Sequence, residues 1–350
     1  MKNTLKGRAS KIILAALMAA GTLGFTGINA EAMSSMPSTG SRPAMSMPPS
    51  SAVQGEDVDY IVSEDADTIT VRDKRNKEVT IKKHPKRVIC AYNSYLDLWY
   101  KAGGEVIGKV DDAAEKPVPG AENAESVGSV NQLSIEKMMS LEPDLVILSP
   151  AFKGHLEIGE QLEENGIDVL LLDSNNFREY TELAEVYTKI NGRDDLYKTL
   201  VEDVVKERED IISKVPSDVK PKAAIFFASI KDLKLRTSGH GVGEMLKDLG
   251  TVNIADGTGD GDLIPFSLEK IIEEDPDFIF VQTMGSDSEA IKETLKREAE
   301  EKESFASLTA VKEGRYIVLP KDLYLYKPNY RYAEAYMGLA EILYPEVFRK

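Results

Sequence analysis

The fold is decided by a fifteen-residue stretch that occurs twice: SIEKMMSLEPDLVIL from Ser134 to Leu148, and SLEKIIEEDPDFIFV from Ser267 to Val281. Ser, Glu, Lys, Pro and Asp occupy identical places in the two copies, and most of the remaining positions exchange one apolar residue for another. The copies start 133 positions apart. A correspondence this regular indicates that the chain contains two similar structural units.

Each copy has the features of a helix followed by a buried strand. Its Ser can cap a helix, its Glu lies in the first turn where the helix dipole favours an anion, and apolar residues follow at helical spacing. The helix must end before Pro143 or Pro276, and the apolar run after the Pro is typical of a buried parallel strand. Two such units predict an α/β protein of two lobes with central, mostly parallel sheets, because the repeats of a solenoid are far shorter.

The first thirty residues are typical of an export signal. Basic residues precede an apolar stretch from Ile12 to about Phe25, and a small-residue cleavage pattern ends at Ala30. About 14 apolar residues are too few to span a bilayer, which needs ~20. We therefore predict a signal peptide over residues 1–30 that is cleaved near Ala30. Because no Cys follows the apolar stretch as a lipid attachment point, we expect a soluble protein in the bacterial periplasm.

Composition and pattern divide the rest of the chain into four regions. Residues 31–57 are rich in Ser, Pro and Met and poor in charge, which predicts a disordered spacer. An N-terminal α/β lobe is predicted over residues 58–190, and it begins with a β-hairpin at Asp67–Ile81. A bridging helix is predicted in residues 191–216, and its helical pattern from Asp194 to Val215, at roughly 33 Å, is long enough to run between the lobes. Residues 217–350 should form the C-terminal lobe.

The charge of the chain excludes two classes of partner. There are 59 Asp and Glu against 43 Lys and Arg, which gives a formal net charge of −16. So acidic a protein is not expected to bind nucleic acid or an anionic membrane surface. The only Cys, Cys90, lies in the apolar run RVICAY and is predicted to be a small buried hydrophobic residue.

Five motifs in a fixed order carry a resemblance to a known family. They are RVICAYNSYLDLWYKAGGEVIG, VGSVNQLSIEKMMSLEPDLVIL, SGHGVGEMLKDLGTVNIAD, SLEKIIEEDPDFIFV and FASLTAVKEGRYIVLP. With these motifs the chain resembles the class III substrate-binding proteins of ABC importers, which carry ferric siderophores, cobalamin or haem. The resemblance runs from about Arg87 to Pro345. It implies two lobes bridged by one long α-helix, a monomer, and an ABC permease dimer of the inner membrane as partner.

The resemblance also implies a role for Glu136 and Glu269, which occupy the same place in the two copies. In the family, one surface glutamate from each lobe pairs with arginines of the membrane permease, and these are the matching positions. The residues alone require less, because an acidic side chain in a first helical turn is worth about 0.3–1 kcal/mol through the helix dipole. The two roles are compatible, and we predict permease docking.

Ligand binding is expected in the cleft between the lobes, at the loops that follow the strands. Exposed aromatic side chains suit a chelate-bearing ligand, and arginines would supply fixed positive charge for an anionic one. The predicted ligand-binding residues are Tyr92, Tyr95, Arg236, His240, Tyr326 and Arg331.

Neither a catalytic site nor a cofactor or metal site is predicted. The three His form no helical pair, so a metal should arrive inside a chelator. The glycine loop SGHGVGEM has the spacing GxGxG instead of the dinucleotide motif GxGxxG, and no G-x-S-x-G motif of a hydrolase is present. In haem binders of the resembled family a Tyr ligand usually follows the VG before the first-lobe glutamate. Here Ser129 follows that VG, which disfavours haem.

These features predict an exported binding protein that is not an enzyme. It should capture an iron chelate in the cleft and deliver it to an ABC importer, with a ferric siderophore as the preferred ligand and cobalamin or haem as alternatives. The alternative from another class is an exported α/β enzyme that acts on a ligand in the same cleft. Turnover of a bound ligand would favour the enzyme, and co-purification of a coloured, unmodified chelate would favour the binding protein.

Overall fold

The computed structural model describes residues 59–111, 117–239 and 241–349. The predicted signal peptide at residues 1–30 and the predicted spacer at residues 31–57 lie outside the described residues. Among the residues described, no helix is both long and apolar enough to cross a membrane.

A three-stranded antiparallel sheet comes first in the chain. Its strands are β1 (Ile61–Glu64), β2 (Thr68–Arg72) and β3 (Glu78–Lys82). The strands β2 and β3 pair as a hairpin with Val71 opposite Val79, as the alternating sequence predicts. Every second residue of both strands is buried, because successive side chains of a strand point to opposite faces. The turn places Asn76 at φ 60°, a left-handed conformation that Asn adopts more readily than most residues.

The N-terminal lobe is built around a five-stranded parallel sheet. Its elements are β4 (Val88–Cys90), α1 (Asn93–Lys101), β5 (Gly108–Lys109), β6 (Glu125–Ser126), β7 (Gly128–Ser129), β8 (Gln132–Leu133), α2 (Ile135–Ser140), β9 (Leu145–Leu148), α3 (Lys153–Glu164) and β10 (Asp168–Leu171). The sheet order is β10-β9-β4-β5-β6, and all its pairs are parallel. The strand of the first repeat copy, β9, lies between two neighbours and is fully buried, as its unbroken apolar run predicts.

Helices connect this lobe to the next one. They are α4 (Phe177–Ile190), α5 (Asp194–Tyr197), a π-helical turn (Lys198–Glu202) and α6 (Asp203–Ile212). The backbone is therefore helical without a break from Asp194 to Ile212. Within the π turn the carbonyl oxygen of Leu200 accepts a hydrogen bond from the hydroxyl of Tyr180. A side chain bonded into the helical ladder is a common cause of such a turn.

The C-terminal lobe contains a mixed sheet. Its elements are β11 (Lys222–Ser229), β12 (Leu233–Arg236), α7 (Val242–Asp248), β13 (Val252–Asn253), β14 (Leu263–Pro265), α8 (Leu268–Glu274), β15 (Phe278–Met284), α9 (Ser288–Leu295), a π turn (Lys296–Glu300), a 3-10 turn (Phe305–Ser307), α10 (Thr309–Lys312), β16 (Tyr316–Val318), α11 (Lys321–Tyr324), a second 3-10 turn (Asn329–Arg331), α12 (Tyr332–Leu343) and α13 (Pro345–Phe348). The main order is β14-β12-β11-β15-β16. The strands β11, β15 and β16 are parallel, whereas β12 and β14 pair antiparallel.

The two lobes share one apolar core. Two smaller clusters of buried side chains cover the outer faces, one on each sheet. The largest cluster joins the inner faces of both sheets to the helices between them. This shared cluster contains Trp99 of α1, Tyr187 of α4, Phe280 of β15 and Tyr336 of α12, none more than 1% exposed. Cys90 is fully buried in the same cluster, as predicted. The predicted class, an α/β protein of two lobes with mostly parallel sheets, is confirmed.

Candidate functional site

A cavity of about 120 Å³ lies where loops from both lobes meet. From the N-terminal lobe it is lined by Tyr92, which follows β4, and by Ser174 and Asn175, which follow β10. From the C-terminal lobe the polar and aromatic lining includes Arg236, Gln282, Tyr324, Tyr326 and Lys327. The cavity thus lies at the carboxyl ends of the strands, where open α/β sheets bind ligands.

Arg236 is a buried cation held in one orientation. Only 8% of it is exposed. Its Nε donates a hydrogen bond to Gln282 Oε1 at 2.6 Å, and its Nη1 donates to Asp262 Oδ2 at 2.5 Å. Burial lowers the pKa of the Arg236 guanidinium, although Asp262 opposes this shift. An Arg side chain nevertheless remains protonated in proteins, so Arg236 brings a fixed positive charge to the cavity.

Lys327 carries a second positive charge across the gap between the lobes. Its Nζ donates to the carbonyl oxygen of Ser174 at 2.6 Å and to Asn175 Oδ1 at 2.9 Å. Asp173 Oδ1 lies 4.0 Å from the same nitrogen. Burial lowers the pKa of Lys327, while Asp173 acts in the opposite direction. This side chain therefore connects the C-terminal lobe to the loop after β10.

Further hydrogen bonds attach the same region of the N-terminal lobe to its partner lobe. The amide of Gly241 donates to the carbonyl oxygen of Asn175 at 2.9 Å, and the amide of Phe177 donates to Glu244 Oε2 at 3.0 Å. Burial raises the pKa of the Glu244 carboxyl to about 7. The lobes are thus in direct contact beside the cavity.

Two neighbouring tyrosines of the N-terminal lobe lie beside the cavity and have different roles. The ring of Tyr92 lines the cavity and meets the rings of Tyr95 and Phe152 edge-on, at centroid distances of 4.8 and 5.4 Å. Tyr95 is fully buried behind it and donates from its hydroxyl to Asp173 Oδ1 at 3.2 Å. Burial raises the pKa of both phenols, so both are neutral donors. Tyr92 can therefore contact a ligand, and Tyr95 supports it from the core.

The structure brings together only part of the predicted ligand-binding set. Tyr92, Arg236 and Tyr326 line one cavity. Tyr95 is a core residue of α1, and His240 lies outside the described residues. Arg331 is not among the residues that line the cavity.

The 3-10 turn before α12 holds Arg331 in ion pairs. Its guanidinium donates to Asp322 at 2.8 Å and to Glu334 at 2.7 Å. The bonds to Glu334, and after them those to Asp322, raise the pKa of Arg331. Its charge is thus compensated within its own segment.

Four polar residues at the cavity escaped prediction. Ser174 and Asn175 follow the strand β10, so the rule that selected Tyr92 would also have selected them. Gln282 is a polar residue inside the apolar run FIFVQTM, a signal that can be seen in the sequence. Lys327 had no comparable signal, because nothing local shows that its side chain crosses to the other lobe.

No metal site accompanies the cavity in the part of the chain that the structure describes. No group of three or more His, Cys, Asp and Glu side chains there could hold a metal ion. His155 is buried and bonded to backbone on both sides, since its Nδ1 accepts from the Ser149 amide at 3.1 Å and its Nε2 lies 2.8 Å from the carbonyl oxygen of Val130. Its role is therefore structural.

The paired glutamates lie at matching places in the structure. Ser134 caps α2 by accepting from the Lys137 amide at 3.2 Å, and Ser267 caps α8 by accepting from the Lys270 amide at 3.3 Å. Glu136 and Glu269 follow these caps by two residues, and both are exposed. Neither carboxylate has a hydrogen bond or ion pair among the described residues. Each lobe thus presents one unpaired carboxylate at the start of a helix.

Comparison with known proteins defines the class. The family model "Periplasmic binding protein" matches residues 88–323, which is most of the chain. The chain belongs to this family, and its predicted place among the class III substrate-binding proteins of ABC importers is confirmed.

Three relatives are between 24% and 28% identical to this chain. The ABC transporter substrate-binding lipoprotein YvrC of Bacillus subtilis is 28% identical over 291 residues, or 81% of this chain and 87% of the relative. The Fe(3+)-citrate-binding protein YfmC of the same organism is 26% identical over 72% of this chain and 78% of its own. The molybdate-binding protein MolA of Haemophilus influenzae is 24% identical over 80% and 86%, respectively.

Solved structures show the same fold. A substrate-binding protein of an ABC transporter from Listeria monocytogenes superposes with a TM-score of 0.64 at 19% identity, over 75% of this chain and all of that one. Staphylococcus aureus IsdE, solved in complex with heme, superposes with a TM-score of 0.63 at 18% identity, over 74% and 98%.

Proposed function

We propose that this protein is the exported, monomeric solute-binding component of an ABC importer, working in the periplasm. It captures an iron chelate between its lobes and delivers the chelate to a permease dimer in the membrane. The observation that carries the proposal is the convergence of aromatic and cationic groups from both lobes on one cavity, in a chain of the periplasmic binding protein family. A ferric siderophore is the preferred ligand, and cobalamin and haem are the alternatives.

The chemistry of the cavity supports a chelate over a bare metal ion. Its charged groups, Arg236 and Lys327, are cations, and cations repel a metal ion but attract the anionic oxygens of a chelator. Tyr92 and Tyr326 offer aromatic surface beside them. The relative YfmC is named as an Fe(3+)-citrate-binding protein, and Fe(3+)-citrate is an anionic iron chelate.

Binding without turnover is the proposed activity. The chain belongs to a family of substrate-binding proteins, and the alternative is an exported enzyme that acts on a ligand in the same cleft. A ligand recovered unchanged after incubation with the purified protein is the expected result. Any conversion of the ligand by the protein would favour the enzyme.

Only small lobe movement is expected during capture and release. The lobes share an apolar core, and a cavity-side hydrogen bond such as that from Gly241 to Asn175 joins them directly. Large hinge motion would separate the buried rings of Phe177 and Tyr332, whose centroids lie 5.1 Å apart, at a cost of about 25 cal/mol for each Å² of apolar surface exposed. Opening is therefore proposed to be local to the loops around the cavity.

The paired glutamates provide the decisive test of transport. We expect that the double variant Glu136→Lys/Glu269→Lys retains ligand affinity and fold but fails in uptake, because two favourable contacts with permease arginines become like-charge pairs. Ligand affinity is measured by titration on the purified protein. Uptake of a labelled ferric chelate is measured in the native host with the variant in place of the wild type.

A matched control separates docking from net charge. Glu160→Lys/Glu273→Lys reverses two other exposed glutamates, one in each lobe, and changes the net charge by the same amount. This control should transport normally. Normal uptake by the Glu136→Lys/Glu269→Lys variant would instead show that the repeated glutamates only serve their helices.

A further inference from the structure

One segment of the C-terminal lobe closes the cavity on one side. It comprises residues 325–329, which run from the end of α11 into the 3-10 turn before α12, and we call it the strap. Four consecutive residues of the strap, 325–328, line the cavity. The cavity measures about 120 Å³, whereas a small-molecule site typically measures roughly 300–1,000 Å³. A ligand of that size can therefore enter only if part of the cavity wall moves.

The strap is bonded to the N-terminal lobe at two places. The Nζ of Lys327 donates to the carbonyl oxygen of Ser174 at 2.6 Å, in the loop after β10. Two residues further, the Nδ2 of Asn329 donates to the carbonyl oxygen of Ser94 at 2.8 Å and to Asp97 Oδ2 at 2.9 Å. Ser94 and Asp97 both belong to α1. Side chains of the strap thus hold two separate elements of the other lobe.

Both ends of the strap are fixed within the C-terminal lobe. Just before it, the carbonyl oxygen of Tyr324 accepts a hydrogen bond from Gln282 Nε2, and the hydroxyl of Tyr324 donates to the carbonyl oxygen of Ala335 in α12 at 3.0 Å. Just after it, Arg331 forms its ion pairs within the same lobe. Breaking the bonds of Lys327 and Asn329 would therefore free the middle of the strap while its ends stay attached.

Asn329 shows that the closed strap is strained. Its backbone is left-handed, with φ of 53°. The residue is 1% exposed, and its Oδ1 has no hydrogen-bond partner among the residues that the structure describes. A left-handed backbone and an unpaired buried acceptor both cost free energy, and such costs concentrate in ligand clamps and switch segments. Release of the strap would relieve both.

We propose that the strap locks the two lobes together through Lys327 and Asn329, and that it must release the N-terminal lobe before a chelate can enter the cavity. The fraction of molecules with a released strap then limits the apparent affinity for the ligand. A weaker lock should make ligand association faster. This role in ligand entry rests on the proposed binding function and deepens it by naming the segment that moves.

Acetylation of lysines tests the lock without a ligand. The purified protein is treated briefly with an N-hydroxysuccinimide ester of acetate, and mass spectrometry gives the rate at Lys327. Asn329→Gly keeps a left-handed backbone without strain but removes the bonds to α1, so it should raise this rate at least fivefold. Asp97→Ala removes one of these bonds from the other lobe and should raise the rate as well. An unchanged rate at Lys327 in both variants would overturn the lock.

Three controls separate release of the strap from other effects. Asn76→Gly is the matched variant, because Asn76 is also left-handed, with φ of 60°, but lies exposed in the hairpin turn between β2 and β3, and it should leave the rate at Lys327 unchanged. Lys292, exposed on α9, should keep its rate in every variant. Lys109 in β5 is 7% exposed and should stay slow. If Asn329→Gly also accelerates acetylation of Lys109, that variant is unfolding and Asp97→Ala decides.

Association kinetics with ferric citrate test the role of the strap in ligand entry. Stopped-flow quenching of the fluorescence of Trp99, the only Trp of the chain, follows binding. Association should be at least threefold faster in Asn329→Gly than in Asn76→Gly, and equal rates would overturn the role in entry. If ferric citrate binds neither variant nor the wild type, the preferred ligand class of the proposed function is contradicted, while acetylation still decides whether the strap locks the lobes.

Discussion

The two copies of the repeat perform the same structural task in the two lobes. Asp144, after the Pro of the first copy, accepts hydrogen bonds from the amides of Lys86 and Arg87 at 2.7 and 2.9 Å, just before β4. Asp277, its counterpart, accepts one from the amide of Lys222 at 2.8 Å, where β11 begins. In each lobe the repeat thus joins the amino ends of two neighbouring parallel strands.

The copies differ in what the residue before the Pro does. Glu142 and Asp275 both have left-handed backbone, with φ of 46° and 40°. The carboxylate of Asp275 accepts hydrogen bonds from the amide of Thr309 at 2.8 Å and from its hydroxyl at 2.7 Å, at the start of α10. The Glu142 side chain has no such bond among the described residues. The left-handed backbone therefore only destabilises the N-terminal lobe at Glu142, whereas at Asp275 it accompanies tertiary hydrogen bonds to Thr309.

The largest effect is expected at the Asp that follows the Pro. Asp144→Ala should lower the free energy of unfolding by about 2 kcal/mol and Asp277→Ala by about 1 kcal/mol, because the first carboxylate bonds two amides and the second bonds one. Denaturant unfolding with an unchanged m value measures both losses. Asp→Asn is the control, since one amide oxygen can replace the single bond at Asp277 but not both bonds at Asp144. Equal losses at the two sites would contradict the difference.

A smaller effect, with opposite signs, is expected at the left-handed residue. Glu142→Gly should stabilise the fold by about 0.5–1 kcal/mol, since Gly adopts this conformation without strain. Asp275→Gly relieves the same strain but loses the hydrogen bonds from Thr309. Losing a helix-cap hydrogen bond typically costs about 1 kcal/mol, so no net gain in stability is expected. Thermal unfolding of both variants under one set of conditions compares them, and stabilisation by both would show that the Thr309 bonds contribute nothing.

The pH dependence of the Asp275 variant follows from the same bonds. Hydrogen bonds from Thr309, first from its amide, hold the pKa of Asp275 below its ordinary value of 3.8. The ionised carboxylate therefore stabilises the fold above pH 3.8, and this contribution is lost as the pH falls through the lowered pKa. In that acid range Asp275→Gly should become more stable than the wild type, because only the wild type loses this contribution while the variant keeps its relief of backbone strain.

The smallest effect, and no difference between the copies, is expected at the helix caps. Ser134→Ala and Ser267→Ala should each cost about 0.5 kcal/mol, because each exposed hydroxyl accepts a single amide hydrogen bond of similar length, 3.2 and 3.3 Å. Chemical denaturation of the two variants side by side provides the measurement. A clear inequality would mean that one of the two short helices depends on its cap far more than its geometry indicates.

The sequence predicted those parts of the fold that depend on local pattern. The period-2 alternation predicted the hairpin of β2 and β3, and the apolar runs after Pro143 and Pro276 predicted β9 and β15. The π turn at Lys198–Glu202 had no such signal, because it involves a tertiary bond from Tyr180, a residue of another helix.

The site was predictable only where it depends on strand ends. Tyr92 comes two residues after its strand and Arg236 ends its own, and both line the cavity. Tyr95 is three residues further, on the buried face of α1, which its spacing to Leu96 and Trp99 could have indicated. Arg331 has acidic partners at Asp322 and Glu334 that compensate its charge, and composition alone does not show such pairing.

The apolar cluster between the two sheets makes the lobes one cooperative folding unit. Trp99 and Tyr187 come from the N-terminal half of the chain, and Phe280 and Tyr336 come from the C-terminal half. All four lie in a single cluster of buried side chains. Either lobe expressed alone would present that face to water and lose the burial that stabilises it. Heat or denaturant should therefore unfold both lobes in one transition, whereas lobes joined only by a linker would melt separately.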